Sequence, residues 1–167
     1  MADDFETPQG RRIAWNRVAG VAPTVVFCGG FKSDMEGTKA LYLEQWAKDR
    51  GQGFVRFDYS GHGISGGAFT DGAIGDWFED TCAVLDRIDG PVVLVGSSMG
   101  GWISLLAARE RPGQVGGLVT IAAAPDFTED SMWAGFAADQ RAALERDGQV
   151  ALPSEYGEPY VITRRLI

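Results

Sequence analysis

The segment VVLVGSSMGGW, residues 92–102, constrains the fold of this chain more than any other stretch. An apolar run ends abruptly in small or flexible residues at 96–101, and an apolar pattern then resumes. Glycine lowers the stability of strands and helices, so a buried strand that turns at once into a helix here is unfavourable to form. That composition indicates a functional role for the turn, and the candidate groups are the hydroxyls of Ser97 and Ser98.

Continuous apolar runs recur along the chain, each followed by a glycine-rich break, and they are typical of strands buried on both faces. These runs are TVVFC (24–28), GFVRFDY (53–59), PVVLVG (91–96) and GGLVTIAA (116–123). Helical periodicity occupies the segments between and after them, namely 38–50, 72–88 and 102–111. The alternation predicts an α/β fold with a mostly parallel sheet and helices on both faces, in which ligands bind at the carboxyl ends of the strands.

Two regions lie outside this alternation. Residues 12–18 predict one more strand, either antiparallel or at the sheet edge. After Pro125 the pattern predicts a helix over 131–146, followed by a polar tail that contains proline. Since 167 residues suffice for one packed core, we expect a single domain.

The charge balance and the cysteines exclude several classes of function. The 15 Lys and Arg residues against 23 Asp and Glu give a formal net charge of −8, which repels nucleic acids and anionic membranes. Cys28 and Cys82 lie in apolar runs without ligand spacing, so they are interpreted as reduced core residues and no metal is expected. No signal segment or membrane span is evident, and we expect a cytoplasmic protein.

The motif G-x-S-x-G matches once, at residues 96–100, and it makes Ser98 the candidate nucleophile. A nucleophile on a strained turn needs glycine two residues to either side, because larger side chains would collide with the neighbouring strand and helix. We expect the backbone N–H groups of Met99 and Phe31 to face the oxygen of a tetrahedral intermediate. The alternative is an ordinary strand-to-helix turn, but the flanking strand and helix favour the functional interpretation.

A second motif, GHGISG at residues 61–66, matches G-x-G-x-x-G and raises the alternative of a dinucleotide site. Such a site needs a helix that begins at the third glycine, on the first strand of the sheet. Here residues 66–72 are typical of a loop, and the motif follows a later strand. We therefore expect no nucleotide cofactor.

His62 is the only histidine of the chain, and it follows a different strand from Ser98. It is thus a candidate base, but the favoured interpretation is a loop histidine that hydrogen-bonds the backbone or shapes the pocket rim. Asp126 is a candidate to orient a base, although an aspartate at such a position more often starts a turn or caps a helix, as Asp130 is placed to do.

Three segments in order resemble the α/β-hydrolase superfamily, and within it the mitochondrial palmitoyl-protein thioesterase and acyl-glucuronide esterase group with its bacterial relatives. They are FCGGFKSDMEGTKA (27–40), RFDYSG (56–61) and GSSMGGW (96–102). The resemblance implies a three-layer α/β-hydrolase fold, Ser98 as nucleophile, and Phe31 and Met99 as oxyanion donors. It also implies a small-molecule acyl ester or thioester as substrate and a mainly structural role for the loop at Asp58. We expect no cofactor.

The sequence departs from that family after its fourth apolar run. The superfamily places its acid and its histidine on loops after two further strands, which the sequence lacks. We expect 1–167 to be an incomplete hydrolase domain, with 126–167 as a segment like the family's cap, and the missing C-terminal part to supply acid and base. Without them only about 10³- to 10⁴-fold acceleration over the uncatalysed reaction remains.

Two further expectations concern partners and the pocket. The run 116–123 should present an exposed apolar edge, open to the missing polypeptide or to another copy of the chain. Phe31, Trp102, Trp133 and Phe136 are candidates to line an apolar pocket, or are plain core residues. The alternative to an esterase or thioesterase is a non-catalytic binding module with the same pocket, or an inactive fragment.

Overall fold

A computed structural model describes residues 2–153 and 159–167. Its main sheet has the strand order β1-β2-β4-β3-β5-β6. These strands are β1 (Asp3–Glu6), β2 (Arg12–Val18), β3 (Val21–Cys28), β4 (Gln52–Phe57), β5 (Val92–Ser97) and β6 (Val115–Ile121). The helices are α1 (Thr38–Arg50), α2 (Ile74–Leu85), α3 (Met99–Glu110) and α4 (Ala138–Asp147).

The centre of the sheet is parallel, as the apolar runs predict. On β3, Val26 lies beside Val55 of β4 and beside Leu94 of β5, and all three side chains are buried. β6 continues the parallel order beyond β5. The four predicted strands and the α/β fold with a mostly parallel sheet are therefore confirmed.

Helices cover both faces of this sheet. On one face α1 packs through Ala40 and Ala47 against Val25 and Phe54. On the other face α2 and α3 pack over a larger core that includes Trp77. The result is a three-layer fold whose strand ends at Cys28, Phe57 and Ser97 open onto one edge.

The N-terminal strands and some helix ends differ from the prediction. β2 is antiparallel to β4, as expected, but the short polar strand β1 covers its outer side, so β2 is not at the edge. α2 begins at Ile74 after a 3₁₀ turn at Phe69–Asp71, and α3 begins at Met99 instead of Trp102.

The single helix predicted over 131–146 is wrong. A π-helical turn at Thr128–Trp133 and the helix α4 replace it, because Phe136 turns into the core and is only 7% exposed. Ala137 is extended, with ψ of 161°, and starts α4. The sequence offers Gly135 at this break, and glycine weakens helices.

The polar tail contains two strands that the sequence analysis did not predict. β7 (Gln149–Leu152) and β8 (Tyr160–Thr163) pair in antiparallel order, with Val150 opposite Ile162 and both side chains buried. Residues 154–158 of the segment compared with the family's cap lie outside the described residues.

Two observations bear on the excluded classes. Cys28 and Cys82 are both free and buried, and their burial confirms the interpretation as core residues. Among the helices of residues 2–153 and 159–167, none has the length and apolarity that a membrane crossing requires.

Candidate active site

Ser98 lies at the junction of β5 and α3, on a sharply strained turn. Its φ of 54° and ψ of −120° fall in a region that non-glycine residues rarely adopt, and its side chain is exposed. Strain of this kind persists only where the surroundings impose it, and it concentrates at functional sites. The turn therefore presents the Ser98 hydroxyl at the carboxyl edge of the sheet.

Close packing explains the glycines around this turn. A β-carbon at Gly96 would lie 2.4 Å from the carbonyl oxygen of Gly100 in α3, and one at Gly100 would lie 2.1 Å from the carbonyl oxygen of Cys28 in β3. Real β-carbons essentially never approach other heavy atoms so closely. These contacts confirm the steric part of the prediction for the G-x-S-x-G motif.

Backbone hydrogen bonds tie the turn to the end of β6. The amide of Ser98 donates to the carbonyl of Ile121 at 3.0 Å. The carbonyl of Ser98 accepts from Gly101 at 2.8 Å and from Ala124 at 3.2 Å. The turn is thus fixed by the neighbouring strand as well as by its own helix.

The loop after β3 lies directly against Ser98. A β-carbon at Gly30 would lie 3.6 Å from the β-carbon of Ser98. Both residues, together with Phe31, line a cavity of about 350 Å³. In the described part of the chain, neither the Phe31 amide nor the Met99 amide donates a hydrogen bond outside the regular elements. The structure therefore brings Ser98 and Phe31 into one cavity, with Met99 next in sequence to Ser98.

Short contacts hold the Gly29–Ser33 part of this loop. The hydroxyl of Tyr59 donates to the carbonyl of Gly29 at 3.2 Å. The Ser33 hydroxyl and amide both donate to the carbonyl of Gly30, at 2.8 and 3.2 Å. The Lys32 amide lies 3.3 Å from Nε2 of His62 and donates to it.

Asp58 has a structural role, as the family resemblance implies. Its buried carboxylate accepts from the Met35 amide at 2.6 Å and from the Ile64 amide at 2.9 Å. Burial raises the pKa of Asp58, although these two amide hydrogen bonds oppose the effect. The carboxylate thereby joins the loop after β3 to the loop after β4.

Arg56 also holds the loop after β3, through contacts to Met35 and Glu36. Its buried guanidinium donates to the Met35 carbonyl at 3.0 Å and to Glu36 at 2.5 Å, and it pairs with Glu44 of α1. Removing a buried charge from water is unfavourable unless partners satisfy it, and here three acceptors do so.

The structure does not place His62 as a base for Ser98. The ring is buried, Nε2 faces the Lys32 amide, and Nδ1 lies 3.2 Å from the carbonyl of Ser60. Burial lowers the pKa of His62, so the ring is held neutral. These contacts confirm the favoured interpretation, a loop histidine that hydrogen-bonds the backbone.

The GHGISG segment does not form a dinucleotide site. Gly61 donates to the carbonyl of Gly66, and Gly66 donates to that of Arg12, each at 2.8 Å. The amides of His62, Ile64 and Ser65 are also used within the protein. Because these amides already donate hydrogen bonds within the protein, they cannot bind a pyrophosphate. In addition, no helix begins at the third glycine.

Asp126 starts a turn, as the second interpretation predicts. Its φ is 53°, and its carbonyl accepts from the amides of Glu129 and Asp130 at 3.0 and 2.9 Å.

Within residues 2–153 and 159–167, no group of three His, Cys, Asp or Glu side chains has an arrangement that could hold a metal ion.

Aromatic side chains surround Phe31, and sequence reasoning missed most of them. The ring of Phe31 meets four others edge to face, with centroid distances of 5.0 Å to Phe69, 5.6 Å to Phe127, 6.3 Å to Trp77 and 6.4 Å to Tyr160. Trp102 joins this aromatic cluster through Phe127 at 6.0 Å. Trp133 and Phe136 instead contact each other at 6.3 Å. No periodicity in the sequence marks Phe127 or Tyr160 as neighbours of Phe31.

Comparison with known sequences gives a consistent family. The profile of a family described as the alpha/beta hydrolase family matches residues 25–165. The rat mitochondrial palmitoyl-protein thioesterase ABHD10 is 38% identical over 155 residues, which is 92% of this chain and 52% of that protein. A pimeloyl-[acyl-carrier protein] methyl ester esterase of Methylococcus capsulatus is 33% identical over 122 residues, 72% of this chain and 44% of that protein.

Solved structures agree with these sequence matches. A putative hydrolase from Agrobacterium vitis S4 superposes with a TM-score of 0.93 at 44% identity, covering 99% of this chain and 69% of that one. The mouse alpha/beta hydrolase domain-containing protein 10 has a TM-score of 0.86 at 34% identity, covering 98% and 66%. The chain spans about half the length of the curated relatives it matches.

Proposed function

The chain belongs to the alpha/beta hydrolase family, and from this premise we propose that it forms the nucleophile half of an esterase or thioesterase that works through an acyl-Ser98 intermediate. One observation carries the proposal. Ser98 stands on a strained turn, with φ of 54°, in a cavity that it shares with Gly30 and Phe31.

The proposed reaction follows from that placement. The Ser98 oxygen attacks the carbonyl carbon of an ester or thioester, and its proton passes to a base. The negative oxygen of the tetrahedral intermediate accepts from the amides of Phe31 and Met99, and the N-terminus of α3 adds a favourable dipole. Departure of the alcohol or thiol leaves acyl-Ser98, which water then hydrolyses.

The base is proposed to come from residues outside these 167. The one histidine of the chain has both ring nitrogens engaged, by Ser60 and by Lys32. The curated relatives are about twice as long as the matched region, which supports a division of the catalytic groups along a longer polypeptide. We therefore expect the acid and the base to lie in the part of that longer polypeptide outside these 167 residues.

The substrate proposed is a small acyl ester or thioester with an apolar acyl group. The names of the rat and Methylococcus relatives state a thioesterase and a methyl ester esterase. The aromatic rings of Phe27 and Phe31 line the cavity beside Ser98 and support an apolar group, since aromatic rings favour apolar ligands in concave sites. We further propose that 126–167 acts as a cap, because Phe127 and Tyr160 bring this segment onto Phe31.

The remaining predictions concern partners and location. β6 has one neighbour among the strands of the described residues, and Val119 on it is 51% exposed, which supports pairing with a further polypeptide segment or a second copy. Exclusion of nucleic acids and membranes as partners rests on the net charge of −8. A cytoplasmic location stays a prediction, and the ABHD10 relatives are named mitochondrial.

A fluorophosphonate probe tests the nucleophile. We expect slow labelling of Ser98, assigned by fragmentation mass spectrometry, that disappears in Ser98→Ala and persists in Ser131→Ala, an exposed serine outside the cavity. Because the base is proposed to be absent from this chain, added imidazole should accelerate labelling by substituting for it. Labelling at another residue, or equal labelling of Ser98→Ala, contradicts the proposal.

A second candidate is a binding module that keeps the pocket without chemistry. It is favoured by the fact that, in the described part of the chain, no histidine is hydrogen-bonded to Ser98. This candidate predicts no labelling of Ser98 even with imidazole, together with retained binding of an acyl ester detected by calorimetry.

A further inference from the structure

We propose that His62 is a positioning residue, which holds the oxyanion loop in place by accepting the Lys32 amide in its neutral state and releases it on taking up a proton. The proposal rests on the proposed role of the Phe31 amide, because Lys32 directly follows Phe31. Its evidence is the hydrogen bonding around the imidazole ring.

The hydrogen-bond partners of His62 determine the tautomer of its ring. Nδ1 of His62 lies 3.2 Å from the carbonyl oxygen of Ser60, which can only accept. The proton of the neutral ring therefore resides on Nδ1, and Nε2 carries a lone pair. That lone pair faces the Lys32 amide at 3.3 Å, so the two hydrogen bonds are mutually consistent.

Ser60 is held in place by contacts to α2. Its carbonyl also accepts from Nε1 of Trp77 at 3.0 Å, and its amide and hydroxyl donate to Asp80 at 2.9 and 2.6 Å. Asp80 is fully buried and pairs with Arg11 at 2.7 Å. Through Ser60, this chain of contacts connects α2 rigidly to the imidazole.

The loop after β3 has a strained backbone at Lys32. Lys32 has a φ of 52°, which is unfavourable for a side chain other than glycine, and two flexible glycines precede Phe31. Such a conformation needs support from its surroundings. The hydrogen bond to His62 supplies support at the residue next to Phe31, so its loss would free the Phe31 amide to reorient.

Protonation of His62 is opposed by its surroundings. Burial lowers the pKa of His62 and the Lys32 cation lowers it further, while the Ser60 carbonyl and the charge of Asp80 raise it. The titratable or charged groups that face the ring are thus Lys32 from the loop after β3, Asp80 from α2, and Tyr59, whose ring centroid lies 5.5 Å away. Once protonated, Nε2–H would oppose the Lys32 N–H, and neither could accept.

Nuclear magnetic resonance of the purified protein tests the hydrogen bond without reference to activity. We expect ¹⁵N signals of a neutral His62 protonated at Nδ1, and a Lys32 amide resonance that shifts with the same midpoint as the ring when the pH is lowered. An Nε2–H tautomer at neutral pH, or a Lys32 amide insensitive to the ring's titration, would overturn the proposal.

Variants separate positioning from general destabilisation. In His62→Leu we expect the Lys32 amide to exchange with solvent about tenfold faster, and Ser98 labelling by the fluorophosphonate to fall about tenfold as the oxyanion donor is misplaced. His62→Gln retains an acceptor and should recover part of both. Ile64→Ala is the control, because the Ile64 side chain is exposed and lies in the loop after β4 that carries His62. It should change neither the exchange rate of the Lys32 amide nor the labelling of Ser98.

The pH profile of labelling completes the test. The wild-type rate should fall at the midpoint measured for the ring, and that inflection should vanish in His62→Gln, which does not titrate. A labelled wild type with the same profile in all variants overturns the inference alone. A wild type that is never labelled contradicts the proposed function, while the resonance measurements still decide on the hydrogen bond in either direction.

Discussion

Gly100 of α3 and Cys28 of β3 pack so closely that a β-carbon on Gly100 would lie 2.1 Å from the Cys28 carbonyl oxygen. The contact is between backbones, so no side-chain rotation can relieve it. It presses the start of α3 onto the strand that leads into the Gly29–Ser33 loop. The position of the Ser98 turn relative to that loop is therefore set by the absence of a side chain at residue 100.

Gly100→Ala should be strongly destabilising. The added methyl group forces α3 away from β3, and we expect a loss of at least about 2 kcal/mol in the free energy of unfolding, measured by urea denaturation. Gly75→Ala is the matched control, because a β-carbon there meets nothing within 4 Å. That variant should be slightly more stable than the wild type, and a comparable loss in both would contradict the explanation.

Glu44→Gln should weaken the protein and reduce its sensitivity to acid. Burial raises the pKa of Glu44, but Lys48 and Arg56 outweigh this and hold it below its ordinary value of 4.5. A lowered carboxyl pKa stabilises the fold above the unfolded pKa, and this contribution is lost as the pH falls through the folded pKa. Chemical unfolding between pH 7 and pH 3 should show a smaller acid loss in Glu44→Gln than in the wild type.

Asp58→Asn should destabilise the fold by about 1–3 kcal/mol. The carboxylate accepts two backbone amides, whereas an asparagine side chain must turn its NH₂ group toward one of them. Asp49→Asn is the control, since its exposed carboxylate accepts, among the described residues, only from Gln45 on the same helix. Thermal unfolding of the two variants distinguishes the effects, and equal midpoints would refute a role for Asp58 in joining the loops.

Stability should also fall on mild acidification, through His62. Its folded pKa lies below the ordinary 6.5, so between these values the unfolded chain binds a proton that the folded chain does not. Stability is then full above pH 6.5 and declines as the pH falls toward the folded pKa. The chain has one histidine, so His62→Gln should remove this histidine-linked part of the decline in urea unfolding.

The two thiols should be inert in the native protein. Burial raises the pKa of Cys28 and that of Cys82 to about 11 each, and thiolate is the reactive form. We expect no reaction with a disulfide reagent such as DTNB at pH 8, and modification of both cysteines in denaturant. Rapid native modification of either one would show that its segment opens.

The sequence predicted the parts of the fold that local pattern controls. Continuous runs such as 91–96 identify strands buried on both faces, and the glycines at 96 and 100 identify the turn because sterics alone require them there. The break at Phe136 escaped prediction, because it depends on a space in the core that only the assembled layers create. β7 and β8 also escaped prediction. Each is only four residues long, and each forms a strand by pairing with the other, which the pattern of either segment alone does not reveal.

The candidate site divides in a similar way. Ser98 and the Gly29–Ser33 loop follow from motifs, whereas the role proposed for His62 depends on two backbone groups, the Ser60 carbonyl and the Lys32 amide. Backbone groups leave no signature in the side-chain sequence. The aromatic cluster is equally hidden, because Phe127 and Tyr160 reach Phe31 from distant segments.

Hydrogen bonds join the Ser98 turn to the end of β6, the outermost strand of the described sheet. The Ser98 amide donates to Ile121 and its carbonyl accepts from Ala124, so the end of the outermost strand of the described sheet directly holds the residue proposed as nucleophile. A polypeptide segment that paired with the outer side of β6 would therefore be separated from Ser98 by one strand. We therefore expect a segment that extends the sheet beyond β6 also to change the position of the Ser98 hydroxyl.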